Sequence, residues 1–251
     1  SVFFQAMGKA LPAFVLSLAF PPYGWWPAVF FAFVPLLIFL RREGLFKCAA
    51  AAFVFGASLH IMLFHWLMPT VQNFSSLDTG PALGILLISA VLHCLMWVML
   101  FLTTKIVFER TGLRFVLFFP FLFILLESVF PRIFPWFIGY GLYTCPPLIQ
   151  VIELTGICGL SFLIVLTASS LGDLFLLRDR TSLLTAVLII SCVLAAGGAG
   201  YVRKQAVEKK YQKGGQIPVI LVQPSISPRE ARTGKNPGKT PQVFGYLNLI
   251  K

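Results

Sequence analysis

The stretch from Leu125 to Leu166 reads LLESVFPRIFPWFIGYGLYTCPPLIQVIELTGICGLSFLIVL, and the rest of the chain is interpreted from it. It is apolar enough for hydrocarbon, yet it contains Glu127, Arg132 and Glu153. A charged side chain at the centre of a bilayer costs roughly 2.5–3.5 kcal/mol on insertion scales, so such groups tend to be paired, buried between helices and functional. This stretch is therefore the first place to look for function.

Composition places the chain in a membrane. Hydrophobic residues make up 58% of the sequence and charged residues 12%, and the mean hydropathy is +0.86. Average chains contain about 25% charged residues. The apolar residues form several blocks of about 18–25 residues, the length that a helix needs to cross roughly 30 Å of hydrocarbon. The sequence therefore predicts an α-helical polytopic membrane protein and excludes an ordinary soluble domain.

We predict about seven transmembrane helices, separated by turns rich in proline, aromatic or charged residues. The predicted spans are about Val2–Phe20, Ala28–Leu40, Phe46–Trp66, Ala82–Phe108, Phe115–Phe130, a sixth that includes Leu160–Leu177, and Leu183–Tyr201. The loops after spans two, four and six hold positive charges, whereas those after spans one, three and five hold almost none beyond Arg132. The positive-inside rule therefore makes the charged loops cytoplasmic. The segment after Tyr201 is then extracytoplasmic.

The net charge of +11 does not indicate nucleic acid as a partner. Much of it lies in the loops beside the apolar blocks, and the rest follows Arg203, where a basic surface suits anionic lipid headgroups. The sequence has no phosphate-binding glycine loop, HExxH or GxSxG, and none of its five cysteines forms a CxxC pair. No metal site, disulfide framework or cofactor is predicted. His60 and His65 are five residues apart and so not on one helical face, which favours core or interfacial histidines over ligands.

The chain changes character after the last predicted span. Residues 1–201 form the predicted membrane domain, and residues 202–216 form a charged connector. Within 217–251, the run Ile217–Gln223 has the β-branched pattern of a buried strand, and an amphipathic helix follows it. A single strand and helix cannot stand alone, so we expect the chain to be the N-terminal part of a longer protein.

Five residues of the central stretch are candidates for contact with lipid or substrate. They are Glu127, Arg132, Trp136, Tyr140 and Glu153. Two interpretations remain open. Glu127 and Arg132 pair across Pro131 to hold a re-entrant turn, or these groups contact a headgroup or substrate in a cavity that opens outward. The aromatic residues either line the mouth of that cavity or lie in the interfacial belt.

The order and spacing of several short motifs resemble the membrane portion of apolipoprotein N-acyltransferases, across nearly the whole chain. The motifs are Leu18–Gly24 with Trp26–Pro27, Glu127 upstream of Phe134–Trp136, Glu153–Gly156 with Gly159–Phe162, and the strand that ends at Val222–Gln223. Two departures are the Pro131–Trp136 turn, where an Arg-Gly type turn is commoner, and Arg229 and Arg232 in a region where relatives often carry Trp.

The resemblance implies a multi-pass protein of the bacterial inner membrane, topped by an extracytoplasmic nitrilase-like αββα sandwich. In the family, a Glu–Lys–Cys triad of that domain takes an acyl chain from a phospholipid and passes it to the N-terminal diacylglyceryl-cysteine of an apolipoprotein. The phospholipid, the apolipoprotein and the bilayer are the implied partners. The triad is expected after Lys251, so no catalytic residue is assigned within this chain, which we expect to be an inactive fragment on its own.

An alternative is a non-catalytic membrane scaffold or a small transporter. Transporters typically contain internal repeats with broken helices at matching positions. This sequence has one broken region and no repeat, which favours the acyltransferase interpretation.

The first measurement is to read the coding DNA past the codon for Lys251. We expect an open frame of about two hundred further codons, the size of one additional domain, with a Cys in a nitrilase context. A stop codon at that position would instead support the scaffold.

Overall fold

The computed structural model describes residues 2–75, 77–131 and 136–212, with side chains from Ala10 onward. All regular structure in these ranges is helical. The nine α-helices of the described ranges are α1 (Val2–Ser17), α2 (Val34–Arg42), α3 (Leu45–Phe64), α4 (Leu67–Ser75), α5 (Thr79–Thr111), α6 (Phe115–Val129), α7 (Pro146–Ile149), α8 (Ile152–Leu177) and α9 (Arg180–Gln212). Two 3₁₀ helices, Trp26–Phe30 and Ile138–Leu142, lie between them.

Four of the described helices, α3, α5, α8 and α9, are long and apolar enough to cross a membrane. They correspond to the predicted third, fourth, sixth and seventh spans, so a helical membrane protein is confirmed. Helix α6 is apolar but has 15 residues, and α1 has 16. The count of seven spans therefore stays a prediction.

The predicted second span, Ala28–Leu40, is not one continuous helix. The structure divides it into the 3₁₀ helix Trp26–Phe30, a turn, and the nine-residue α2. Each of the two helices has a proline, Pro27 or Pro35, within its first two positions. Proline suits a helix start because its φ is already helical and its missing N–H would have no partner there. At about 1.5 Å per residue, α2 alone covers roughly half of the hydrocarbon thickness.

Aromatic rings form the centre of the bundle. The Phe33 ring, beside α2, packs against Phe55 of α3, Trp97 of α5 and Phe123 of α6, with centroids 5.6–6.3 Å apart. All four side chains are essentially inaccessible. Gly56 of α3 allows this packing, because a Cβ there would lie 2.9 Å from the Trp97 ring. The core therefore lies where α3, α5 and α6 meet.

A buried carboxylate from another helix caps the start of α6. The side chain of Asp173, on α8, is 3% exposed and accepts hydrogen bonds from the backbone N–H groups of Phe115 (3.1 Å) and Val116 (2.9 Å). The first N–H groups of a helix have no partner within the helix, so a carboxylate there is stabilising. Asp173 thus satisfies two buried donors and joins α8 to α6.

The α8–α9 turn adds a second link at the same end of the bundle. The Arg114 guanidinium lies 2.9 Å from the Asp179 carboxylate and donates to the Ser182 hydroxyl at 3.2 Å. The Ser182 N–H donates to Asp179 at 2.7 Å, which lowers the pKa of that carboxyl below its ordinary value, and Arg114 acts in the same direction.

Helix α9 continues without a break through the predicted connector as far as Gln212. The charged residues after Tyr201 thus extend the last apolar helix. The predicted nitrilase-like segment, residues 217–251, lies outside the described residues, as does Arg132.

We expect Asp173→Ala to lower the thermal unfolding midpoint in detergent. The substitution leaves the Phe115 and Val116 N–H groups without an acceptor, at a cost of about 1–3 kcal/mol for each buried donor. Asp78→Ala is the control, because Asp78 is exposed and makes no side-chain capping bond at the start of α5. Equal shifts for the two variants would contradict the capping role.

Candidate functional site

Glu127 connects the end of α6 to the loop that follows it. Its side chain is 1% exposed, and its carboxylate accepts a hydrogen bond from the Ile138 backbone N–H at 2.7 Å. Ile138 begins the second 3₁₀ helix and is fully buried. A buried carboxylate is tolerated only with hydrogen-bond or charge partners, so this contact holds the loop against the bundle. The predicted partner Arg132 lies outside the described residues, and the pairing of the two stays a prediction.

The next residue of the loop is held by α8. The Gly139 N–H donates to the Ser161 hydroxyl at 3.1 Å, and Ser161 is completely buried. Gly139 fits closely on α8, because a Cβ there would lie 3.0 Å from the Ile157 carbonyl oxygen. Two consecutive backbone donors of one loop are thus satisfied by side chains from two helices.

Trp136 lies inside the bundle, at 9% exposure. Its ring packs against Phe20 (5.2 Å between centroids), His93 (5.6 Å) and Phe64 (6.4 Å). This burial differs from the predicted position at a cavity mouth or in the interfacial belt. A large ring buried against three segments joins the loop by packing to the turn after α1, to α3 and to α5. Tyr140, in the same loop, is 43% exposed.

Two histidines from different helices meet next to Trp136. Nδ1 of His60, on α3, lies 3.2 Å from Nδ1 of His93, on α5, and Nε2 of His60 lies 2.9 Å from the Ser89 hydroxyl. His60 is 3% exposed. The pairing of His60 with His93 is not predicted from the sequence, where His60 and His65 are the neighbouring histidines. The available signal was that His60 and His93 each interrupt an apolar span, where an ionisable residue is expected to have a function.

The geometry of the histidine pair restricts which ring nitrogens carry protons. The Ser89 hydroxyl lies 2.8 Å from the Leu86 carbonyl, to which it can donate. In that arrangement the Nε2–H of His60 donates to Ser89, its Nδ1 accepts, and the Nδ1–H of His93 donates to it. Only one proton fits between the two Nδ1 atoms. The pair can therefore hold both rings neutral in defined tautomers, an assignment that follows from the hydrogen-bond network.

Glu153 lies apart from this cluster. It is about half exposed at the start of α8, and its carboxylate lies 3.0 Å from the Arg203 guanidinium of α9. An exposed pair of this kind contributes about 0–1 kcal/mol, so it links the start of α8 to α9 weakly. Glu127 therefore contacts the loop that contains Trp136, whereas Glu153 lies outside this cluster.

The described residues contain no group of three His, Cys, Asp or Glu side chains that could hold a metal ion. The five cysteines are free thiols. The site in the described ranges is therefore a set of buried polar anchors around a loop.

Comparisons with known proteins agree with the predicted resemblance. The family described as the apolipoprotein N-acyltransferase N-terminal domain matches residues 13–170. An apolipoprotein N-acyltransferase of Geobacter metallireducens is 32% identical over 161 residues, which cover 62% of this chain and 30% of the relative. One of Bdellovibrio bacteriovorus is 29% identical over 165 residues, covering 63% of this chain and 29% of the relative. The match thus spans about a third of each relative.

We expect Ser161→Ala to increase amide hydrogen exchange in the 136–145 loop, because the buried Gly139 N–H loses its acceptor. Ser169→Ala is the matched control. Ser169 is equally buried on α8, but its hydroxyl donates to the Val165 carbonyl of its own helix at 2.6 Å. Unchanged exchange in Ser161→Ala would show that the Ser161 hydroxyl is not needed to hold the loop.

Proposed function

Because the chain belongs to the family of the apolipoprotein N-acyltransferase N-terminal domain, we propose that it is the membrane part of an enzyme that N-acylates bacterial apolipoproteins. The family match over residues 13–170 carries this proposal. The matched region includes the buried Glu127, the loop that it anchors and the histidine pair. The apolar helices and the bacterial relatives support a protein of the bacterial inner membrane.

The proposed reaction has two covalent steps. A Cys thiolate attacks an acyl ester of a phospholipid, which forms a thioester and releases the lysophospholipid. The free α-amino group of a diacylglyceryl-cysteine then attacks the thioester, which forms an amide and regenerates the thiol. Nucleophilic catalysis of this kind gives ping-pong kinetics. We place the Glu–Lys–Cys triad in a nitrilase-like domain beyond Lys251 and assign no catalytic residue within this chain.

Within this proposal, the chain's own residues shape the membrane surface below the catalytic domain. Glu127 and Ser161 are positioning residues, since each accepts a backbone N–H of the loop. Trp136, which belongs to the same loop, fixes the loop to the bundle by packing. Tyr140 and Glu153 are exposed enough to contact a headgroup or substrate, and Arg132 stays a candidate for the same contact.

The proposed topology is multi-pass, with the end of α9 on the extracytoplasmic side. The distribution of Lys and Arg among the loops supports this orientation. It places the Glu127 loop and the Glu153–Arg203 pair at the same, outer face as the lipoprotein substrate.

The gene, with any coding sequence after the codon for Lys251, is supplied to a bacterium depleted of its own N-acyltransferase. Mass spectrometry of lipoprotein N-termini is expected to show restored N-acylation. A protein that reaches the membrane without restoring the amide-linked chain would support the non-catalytic scaffold or transporter instead.

In the same assay, we expect Glu127→Ala to lower acyl transfer about tenfold or more, because the loop loses an anchor of about 1–3 kcal/mol. Glu127→Gln keeps an acceptor oxygen for the Ile138 N–H, so this variant is expected to retain most of the acyl transfer. Glu43→Ala is the control, since Glu43 forms an exposed pair with Lys47. Equal loss in the Gln and Ala variants would show that the charge of Glu127, rather than its acceptor atom, is required.

A further inference from the structure

An apolar groove that the proposed function does not use lies between the first 3₁₀ helix, α7, α8 and α9. Its volume is about 540 Å³, and its walls include Trp26, Phe30, Leu148, Leu171, Ile190 and Val193. Ligand sites typically measure about 300–1,000 Å³. The groove is therefore large enough for part of a ligand.

The surroundings of the groove restrict what can fill it. Two of its walls, α8 and α9, are long and apolar enough to cross a membrane, and little of α9 is buried by the rest of the protein. Among the described lining residues, the only hydroxyl is that of Thr167, which donates to the Leu163 carbonyl of its own helix. The other lining side chains are apolar apart from the Trp26 indole N–H and the Cys145 thiol, and the wall surface is almost entirely apolar, so the groove suits a hydrocarbon chain.

A cation lies beyond one end of the groove. Ile190, Val193, Leu194 and Gly197 line it at the spacing of one helical face. Two further turns along this face, about 10 Å, lead to Lys204. The Lys204 ammonium lies 3.5 Å from the Glu208 carboxylate, and both groups are partly exposed. A weak, solvated pair of this kind leaves the cation accessible to a phosphate.

We propose that the groove and Lys204 form a binding site for one membrane phospholipid. An acyl chain lies in the groove, and the headgroup phosphate contacts the Lys204 ammonium. The apolar walls and the cation near the water interface match the two chemistries of that ligand. The inference needs only the membrane location of α8 and α9, so it can fail while the acyltransferase proposal holds, and the reverse.

Gly197 provides the test. A Cβ at Gly197 would lie 3.6 Å from the Leu148 side chain, an ordinary contact distance, so a larger side chain enters the groove without a backbone clash. At Gly198, a Cβ would meet nothing within 4 Å. Gly197→Leu and Gly198→Leu therefore make the same chemical change on adjacent faces of α9, and both raise its helix propensity.

The full-length protein is placed in lipid nanodiscs that contain a trace of phosphatidylglycerol with a diazirine in one acyl chain. After illumination, mass spectrometry locates the cross-links. We expect them to concentrate on groove peptides rather than around Leu188, which is 64% exposed on another face of α9. Gly197→Leu is expected to reduce groove cross-links at least about tenfold, the factor that corresponds to excluding two methylene groups of the acyl chain from the groove. Gly198→Leu is expected to leave the groove cross-links unchanged.

The headgroup contact is tested with the same probe. Lys204→Gln is expected to reduce groove cross-links about fivefold, the effect of one cation at an anionic headgroup. Lys210→Gln is the control, because Lys210 lies on a different face of the helix, about 120° around it from Lys204. Cross-links that are spread evenly over all exposed apolar positions, or equal effects of the two glycine variants, would overturn the site. An unchanged signal in Lys204→Gln would overturn the phosphate contact.

Discussion

The hydrogen bond from the Ile138 N–H to the Glu127 carboxylate joins the end of α6 to the loop that follows it. An apolar loop cannot satisfy its own backbone donors when it folds back into a bundle, because water is excluded there. Glu127 supplies one acceptor and Ser161 the next. The packing of Trp136 and the position of the exposed Tyr140 both depend on this arrangement.

The opposite end of the bundle uses the same physical solution. Asp173 on α8 accepts the first two N–H groups of α6, as Glu127 on α6 accepts an N–H of the loop. Both carboxylates are buried, and each accepts at least one hydrogen bond from a backbone N–H of another segment. Buried charge in this protein therefore connects chain segments that hydrophobic packing alone would not orient, since packing is not directional.

The region that matches the family contains the Glu127 and Ser161 connections to the loop, and it ends three residues before Asp173. It also contains the His60–His93 pair, whose rings lie against Trp136 and so extend the polar cluster from the loop toward the bundle centre. The described part of the chain offers buried positioning groups and long apolar helices, which fits the membrane part of the enzyme that we propose. The groove beside α9 adds a second lipid-facing surface on the same protein.

The sequence by itself determined the membrane environment, the approximate bounds of α3, α5 and α6, the end of α8 and the start of α9, because hydropathy and helical length are local properties. Only the tertiary structure decided which groups meet. It paired His60 with His93 and Glu153 with Arg203, it buried Trp136, and it divided the predicted second span. Contacts between residues 33 and 50 positions apart depend on how helices pack, which no single-helix periodicity contains.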